Sequence, residues 1–163
     1  MDNKIVVLFS GGWESCYCYI KAYQMYGKRN IAPVYVNYGE SFQREEYEHA
    51  CTIMEKEGKI LHFMDIPSLP SKNGVYKGRN TQIMAAVASK YKQAQVIYFG
   101  GRNILQVFDK YGDASWQYGR CLGKALQIHI AMPCVLLPKD YIKFVVKDHG
   151  IPAKLVYSTE GMS

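Results

Sequence analysis

The sequence predicts an α/β fold, a three-layer sandwich in which helices cover both faces of a mostly parallel sheet. Two observations carry this expectation. Short β-branched and aromatic runs alternate along the chain with longer segments whose apolar positions recur at helical spacing. The first run also stops at a glycine pair that opens directly into such a helical segment, as a buried strand does at a tight turn.

The elements follow in order. Residues 5–9, Ile-Val-Val-Leu-Phe, are the first strand, ending at Ser10-Gly11-Gly12. A helix is expected over 13–25 and Gly27 closes it; residues 33–37 are then a second strand, completing one βαβ unit. The scheme repeats with a polar-faced helix over 42–56, ending at Gly58, and a strand over 59–64. That strand runs into a Pro-, Ser- and Gly-rich loop, 67–78, whose length marks it as functional or mobile and which leads into Lys77-Gly78-Arg79-Asn80. A helix over 81–91 carries Ile83, Met84, Val87 and Ala88 on one face; a strand over 95–99, a helix over 115–130 and a last helix over 138–149 complete the chain. Right-handed crossovers in such a sheet place the strand-end loops along one edge.

At 163 residues the chain fits one domain, 1–163, with a substantial core. Its 48% hydrophobic content, 14 glycines and 6 prolines are those of a folded globular protein. No apolar run approaches the roughly 20 residues that cross a bilayer, so no membrane partner is expected and the cytoplasm is the default address. Five scattered cysteines without a CxxC pair read as reduced and mostly buried. Cys16 and Cys18 lie early in the first helix, where a thiolate is stabilised, but they lack a paired base. His49, His62, His129 and His149 stand at no metal-ligand spacing, so no zinc site is expected. The net charge of +6 comes from lysines and arginines spread along the chain without a run, which disfavours a nucleic-acid surface and suits a phosphate-bearing small molecule. A homodimer is compatible with this composition.

Phe9-Ser10-Gly11-Gly12-Trp13-Glu14-Ser15 carries the chemistry. Two glycines between a strand and a helix let backbone N–H groups approach an anion, and the helix N-terminus adds donors and about half a positive charge. Ser10 and Ser15 add hydroxyls, and Glu14 complements the helix dipole and suits a magnesium ion. The plainer reading is a glycine turn that serves only the fold.

Ser10-Gly11-Gly12-Trp13-Glu14-Ser15 resembles the SGGxDS signature of PP-loop ATP pyrophosphatases, and further stretches are similar to the 7-cyano-7-deazaguanine synthase family within them. Tyr38-Gly39 followed by Glu45 resembles that family's YGQRHxxE segment, and Gly78-Arg79-Asn80 its PGRN segment. Tyr111-Gly112-Asp113 falls where a YPDC-like substrate loop lies, and Pro133 with Lys139 resembles the PLxxxxK stretch. The chain departs from the pattern at Glu14 for aspartate and at Glu40, Ser41 and Phe42 for Gln, Arg and His. The family's terminal four-cysteine zinc module has no counterpart up to Ser163.

The resemblance implies an adenine nucleotide alpha hydrolase-like fold of the PP-loop/HUP type and an ATP-dependent ligase of queuosine biosynthesis. Such an enzyme adenylates a 7-carboxy-7-deazaguanine for reaction with ammonia and releases AMP and pyrophosphate. It implies ATP and Mg2+ as cofactors, held by Phe9, Ser10, Gly11, Gly12, Glu14, Ser15, Val36, Tyr38, Gly78 and Arg79. Ser10, Glu14, Arg79 and Lys139 are the implied catalytic set, and Tyr38, Asn80, Gly101 and Asp113 the implied substrate contacts. The residues themselves leave alternatives: Arg79 as a solvated helix-start arginine, Asn80 as a helix N-cap, Gly112-Asp113 as an ordinary turn, and Lys139 as an exposed residue after Pro138. Two other functions also stay open, a nucleotide-binding relative without catalysis and a PP-loop ligase acting on a base in tRNA.

Overall fold

A computed structural model of the chain describes residues 4–40, 42–67, 71–72, 75–76, 79–101 and 115–158. Strands β1 (Ile5–Leu8), β2 (Ile31–Asn37), β3 (His62–Asp65), β6 (Val96–Tyr98) and β7 (His129–Ala131) form a five-stranded sheet in the order β3-β2-β1-β6-β7, every pair parallel. The order reverses at β1: successive strands run outward on one side through β2 and β3, and then on the other through β6 and β7. In parallel sheets the crevice at such a reversal, beyond the carboxyl ends of the strands, is where ligands bind.

Alternation along β1 explains the three layers. Ile5, Val7 and Phe9 face one way, packing in one buried cluster with residues of helices α1 (Trp13–Tyr26), α2 (Gln43–Lys56) and α5 (Lys139–His149). Val6 and Leu8 face the other way, into a cluster with Ile83, Met84, Val87 and Ala88 of helix α3 (Arg79–Lys90) and Ile128 beyond helix α4 (Ser115–Leu126). The apolar face expected of α3 is the buried one. With both faces covered, β1 is buried throughout, so its sequence is a continuous apolar run rather than an alternating one.

The structure differs from the sequence expectation at several elements, among them β2, which begins at Ile31 and not at residue 33. The helix expected over 115–130 stops at Leu126, Gln127 turns with φ of 56°, and β7 follows. The strand expected from residue 59 begins at His62. The segment 67–78, read as a loop, contains a small antiparallel pair, β4 (Ser71–Lys72) and β5 (Val75–Tyr76). Helix α3 begins at Arg79, so Asn80 lies inside its first turn and is not its cap.

Cys16, Cys18 and Cys134 are buried, Cys51 is half-buried and Cys121 exposed, all as free thiols. Burial pushes the Cys16 and Cys18 thiols well up, which keeps them protonated and unreactive. Among the described residues no helix is long and apolar enough to cross a membrane, and no three His, Cys, Asp or Glu side chains gather to hold a metal ion.

Candidate nucleotide-binding site

The carboxyl ends of β1, β2 and β6 open into a cavity of about 470 Å³, within the size range of small-molecule sites. Its apolar walls are Leu8, Phe9, Val34, Val36, Ile83 and Phe99, and its polar side is formed by Ser10, Glu14, Ser15, Glu46, Arg79 and Asn80. Tyr38, Gly100 and Gly101 complete it. A second, polar compartment of about 260 Å³ adjoins it and shares Glu14, Tyr38, Glu46 and Arg79; Trp13, Phe42, Lys139 and Tyr157 enclose the rest.

The loop between β1 and α1 is fixed from within. Gly11 has φ of +85°, a conformation that costs any other L-residue energy. A Cβ there would stand 3.0 Å from the backbone nitrogen of Ala50. The Ser15 hydroxyl accepts the Gly11 N–H and donates to the Gly12 carbonyl, both at 3.1 Å, while Ser10 Oγ lies 3.4 Å from it. Ser15 is therefore buried with its proton committed to the loop, and its contribution is to hold the turn. The chain's last described segment braces the same turn, with the Tyr157 N–H donating to the Gly11 carbonyl at 2.9 Å. The first N–H groups of α1, which lack intrahelical partners by geometry, start at this turn beside the cavity.

Several predicted site residues come together here. Glu14, in the first turn of α1, pairs with Lys139, the first residue of α5, at 2.5 Å. Arg79 donates to the Tyr38 hydroxyl at 3.4 Å and lies over its ring, 5.9 Å from the centroid. Burial pushes the Tyr38 hydroxyl up to about 12, against the opposing pull of Arg79. Gly101 follows β6 at the cavity wall, as Gly100 does. Gly78 and Asp113, with the Tyr111-Gly112 turn, lie outside the described residues.

Residues not singled out from sequence also shape the site. Gly100 lets β6 end close against α1, since a Cβ there would meet Glu14 and the Ser15 nitrogen at 3.2–3.3 Å. Phe42 and Tyr157 stack at 6.1 Å to wall the polar compartment. Glu46 faces both compartments, whereas its neighbour Glu45, matched by the motif, is exposed. The Tyr35 hydroxyl lies 2.9 Å from Glu46 Oε1 and 3.0 Å from Glu40 Oε1, and 3.2 Å from the Gln43 carbonyl. Glu40 is buried, and its other oxygen accepts the Tyr38 N–H at 3.3 Å. Burial raises the Glu46 carboxyl to about 7; Glu40 pushes it the same way, while Tyr35 and Arg79 pull against them.

Comparison with known proteins bears on the family and the fold. The model of a family described as queuosine biosynthesis protein QueC matches residues 4–108, which hold β1, β2, β6, the glycine loop and Arg79. A solved structure described as a predicted subunit of tRNA methyltransferase from Methanocaldococcus jannaschii is similar with a TM-score of 0.54 and 13% identity. That similarity covers 88% of this chain and 73% of that one, and speaks for the fold. No curated protein matches the chain.

Proposed function

The chain belongs to the queuosine biosynthesis protein QueC family, an enzyme family of the PP-loop class, and from that premise we propose that it is an ATP-dependent 7-cyano-7-deazaguanine synthase. In this reading it adenylates a 7-carboxy-7-deazaguanine and passes the acyl group to ammonia. The observation that carries the reading is the pair of adjoining compartments at the reversal point of the sheet, the larger with an apolar and a polar side and the smaller polar, meeting at the N-terminus of α1.

ATP enters with its adenine between the apolar side chains of β1, β2 and α3, near Val36 and Tyr38, and its phosphates against Ser10 and the glycine turn. The acid occupies the polar compartment, where its carboxylate attacks the α-phosphorus and pyrophosphate leaves. Ammonia displaces AMP to give the amide, and a second activation dehydrates the amide to the nitrile. The protein's contribution is placement and charge: the α1 N–H groups, Arg79 and Lys139 surround the phosphates, and such preorganised charge is a main source of rate in these reactions. Magnesium is usually held by phosphate oxygens with one or two carboxylates. Glu14 fits as that carboxylate: it is partly exposed in the first turn of α1 at the junction of the compartments, with one oxygen on Lys139. The ion would neutralise phosphate charge there.

The test is release of pyrophosphate and AMP by the purified protein given Mg-ATP, ammonium and 7-carboxy-7-deazaguanine, beside the Ser10→Ala, Gly12→Ala double variant. Release that depends on the acid and is lost in the variant supports the synthase. ATP binding without release assigns the chain instead as a nucleotide-binding relative, or as a ligase with another acceptor.

A further inference from the structure

Tyr35, Glu40 and Glu46 form a cluster that the ATP chemistry above does not use. Tyr35 belongs to β2, Glu40 to the turn after it and Glu46 to the first turns of α2, and only Glu46 reaches the two compartments. A phenol has one proton to donate, yet two carboxylate oxygens lie 2.9 and 3.0 Å from Tyr35 Oη, and a carbonyl lies at 3.2 Å. Were both carboxylates ionised, one of them would face the lone pairs of the hydroxyl and the charge of its neighbour. The arrangement is satisfied when one carboxyl keeps a proton and donates it to the Tyr35 oxygen. Glu40 is the buried member, and with its Oε2 accepting the Tyr38 N–H its Oε1 stands as the acceptor of the Tyr35 proton. The proton therefore belongs to Glu46, the member that faces the site.

Among the other charged and titratable groups around Glu46, Arg79 of α3 opposes this placement by favouring the carboxylate, but burial, the largest effect, outweighs it, and Tyr38 after β2 and Tyr157 of the last segment stay neutral. Glu14 and Lys139, across the polar compartment, form an ion pair. Glu46 thus sits between the protonated and ionised forms near neutral pH, where a proton-transfer group works best.

We propose that Glu46 is the proton acceptor of the amination step, with Tyr35 and Glu40 as its positioning residues. The proposal rests on the synthase reading above. The nitrogen lone pair forms the bond to the acyl carbon, and the carbon–oxygen bond to AMP breaks with its electron pair leaving on AMP. One N–H proton passes to the ionised Glu46 carboxylate, and from there to solvent through the open compartment.

Two measurements test this on the full chain. Infrared titration of the ligand-free protein should show a protonated-carboxyl band lost near pH 7. The band should be absent in Glu46→Gln and should titrate at lower pH in Glu40→Gln. In turnover, Glu46→Gln should lower amide formation by about 10²-fold more than it lowers acid-dependent pyrophosphate exchange, and should remove the pH dependence near 7; Glu46→Asp, which keeps a retracted carboxyl, should lose less. Should the band persist in Glu46→Gln, or should that variant aminate at the native rate with an unchanged pH profile, the proposal is overturned. Absence of pyrophosphate exchange in the native chain overturns the synthase reading and this step with it, and the infrared result then still identifies which carboxyl holds the proton.

Discussion

The two glycines of the loop make opposite demands, and substituting each by alanine separates fold from binding. At Gly11 the +85° φ costs an L-residue about 1–2 kcal/mol. Its Cβ would also stand 3.0 Å from the Ala50 nitrogen and 3.2 Å from the Ala50 Cα. Those atoms belong to the middle of α2, which cannot yield without moving the helix, so overpacking adds about 1–3 kcal/mol. Gly11→Ala should therefore lose roughly 2–5 kcal/mol, a large part of the stability of a domain this size. At Gly12 the backbone is extended, with φ of −81° and ψ of 174°. A Cβ there meets the Tyr157 carbonyl at 3.5 Å and Ser10 Oγ at 3.7 Å, which is ordinary contact. Gly12→Ala should change stability by no more than about 1 kcal/mol, while placing a methyl where phosphates approach the turn and weakening ATP binding about tenfold or more. Urea unfolding at constant m-value measures the first effect, and calorimetric titration with Mg-ATP the second. Equal stability of the two variants would refute the account of Gly11, and undiminished ATP affinity in Gly12→Ala would remove the phosphates from the turn.

Three further outcomes follow from the same geometry. A carboxyl raised from 4.5 to about 7 in the folded protein binds its proton more tightly there than in the unfolded chain. Its stabilising effect is complete below the unfolded value and is lost as pH rises toward 7, by on the order of 3 kcal/mol at most. Glu46→Gln should accordingly gain stability relative to the native chain between pH 5 and pH 8 in urea titrations, and a constant difference across that range would contradict the burial argument. Arg79→Ala should weaken ATP binding by about 1.5–3 kcal/mol without lowering the melting temperature, with Arg79→Lys recovering only part, because a forked donor is lost. Lys139→Met should cost at most about 1 kcal/mol in folding, since its pair with Glu14 is partly exposed, yet should raise the KM for ATP measured by pyrophosphate release.

The elements that were legible in the sequence are those whose signal is local. A β-branched run that meets Ser10-Gly11-Gly12 announces both a strand end and a backbone turn, so β1, the loop and α1 fall within a residue or so of expectation. The period of Ile83, Met84, Val87 and Ala88 identifies the buried face of α3 because helix geometry alone sets it. β7 fails this test. His129-Ile130-Ala131 is three residues long and continues the apolar spacing of α4 without an intervening glycine or proline. Its break comes from Gln127 at positive φ and from pairing with Val96, Ile97 and Tyr98, some 30 residues away. Only the sheet edge distinguishes it from another helical turn.

The site divides along the same line. The glycine turn, Val36, Tyr38, Arg79 and Gly101 lie at strand and helix ends, where chain order and parallel topology already bring loops together. Glu14 with Lys139, Tyr157 with Gly11, and Glu46 with Tyr35 meet only after folding, across separations that no periodicity encodes. Glu45 and Glu46 make the point most sharply. Both are glutamates in the first turn of a polar-faced helix, and a motif match selects the first. A helix advances about 100° per residue, so the face that packs Ala50, Ile53 and Met54 into the core carries Glu46 round to the Tyr35 hydroxyl and leaves Glu45 in solvent. Burial, which no single residue specifies, leaves one of two identical side chains at the surface and raises the other's proton affinity toward neutral pH.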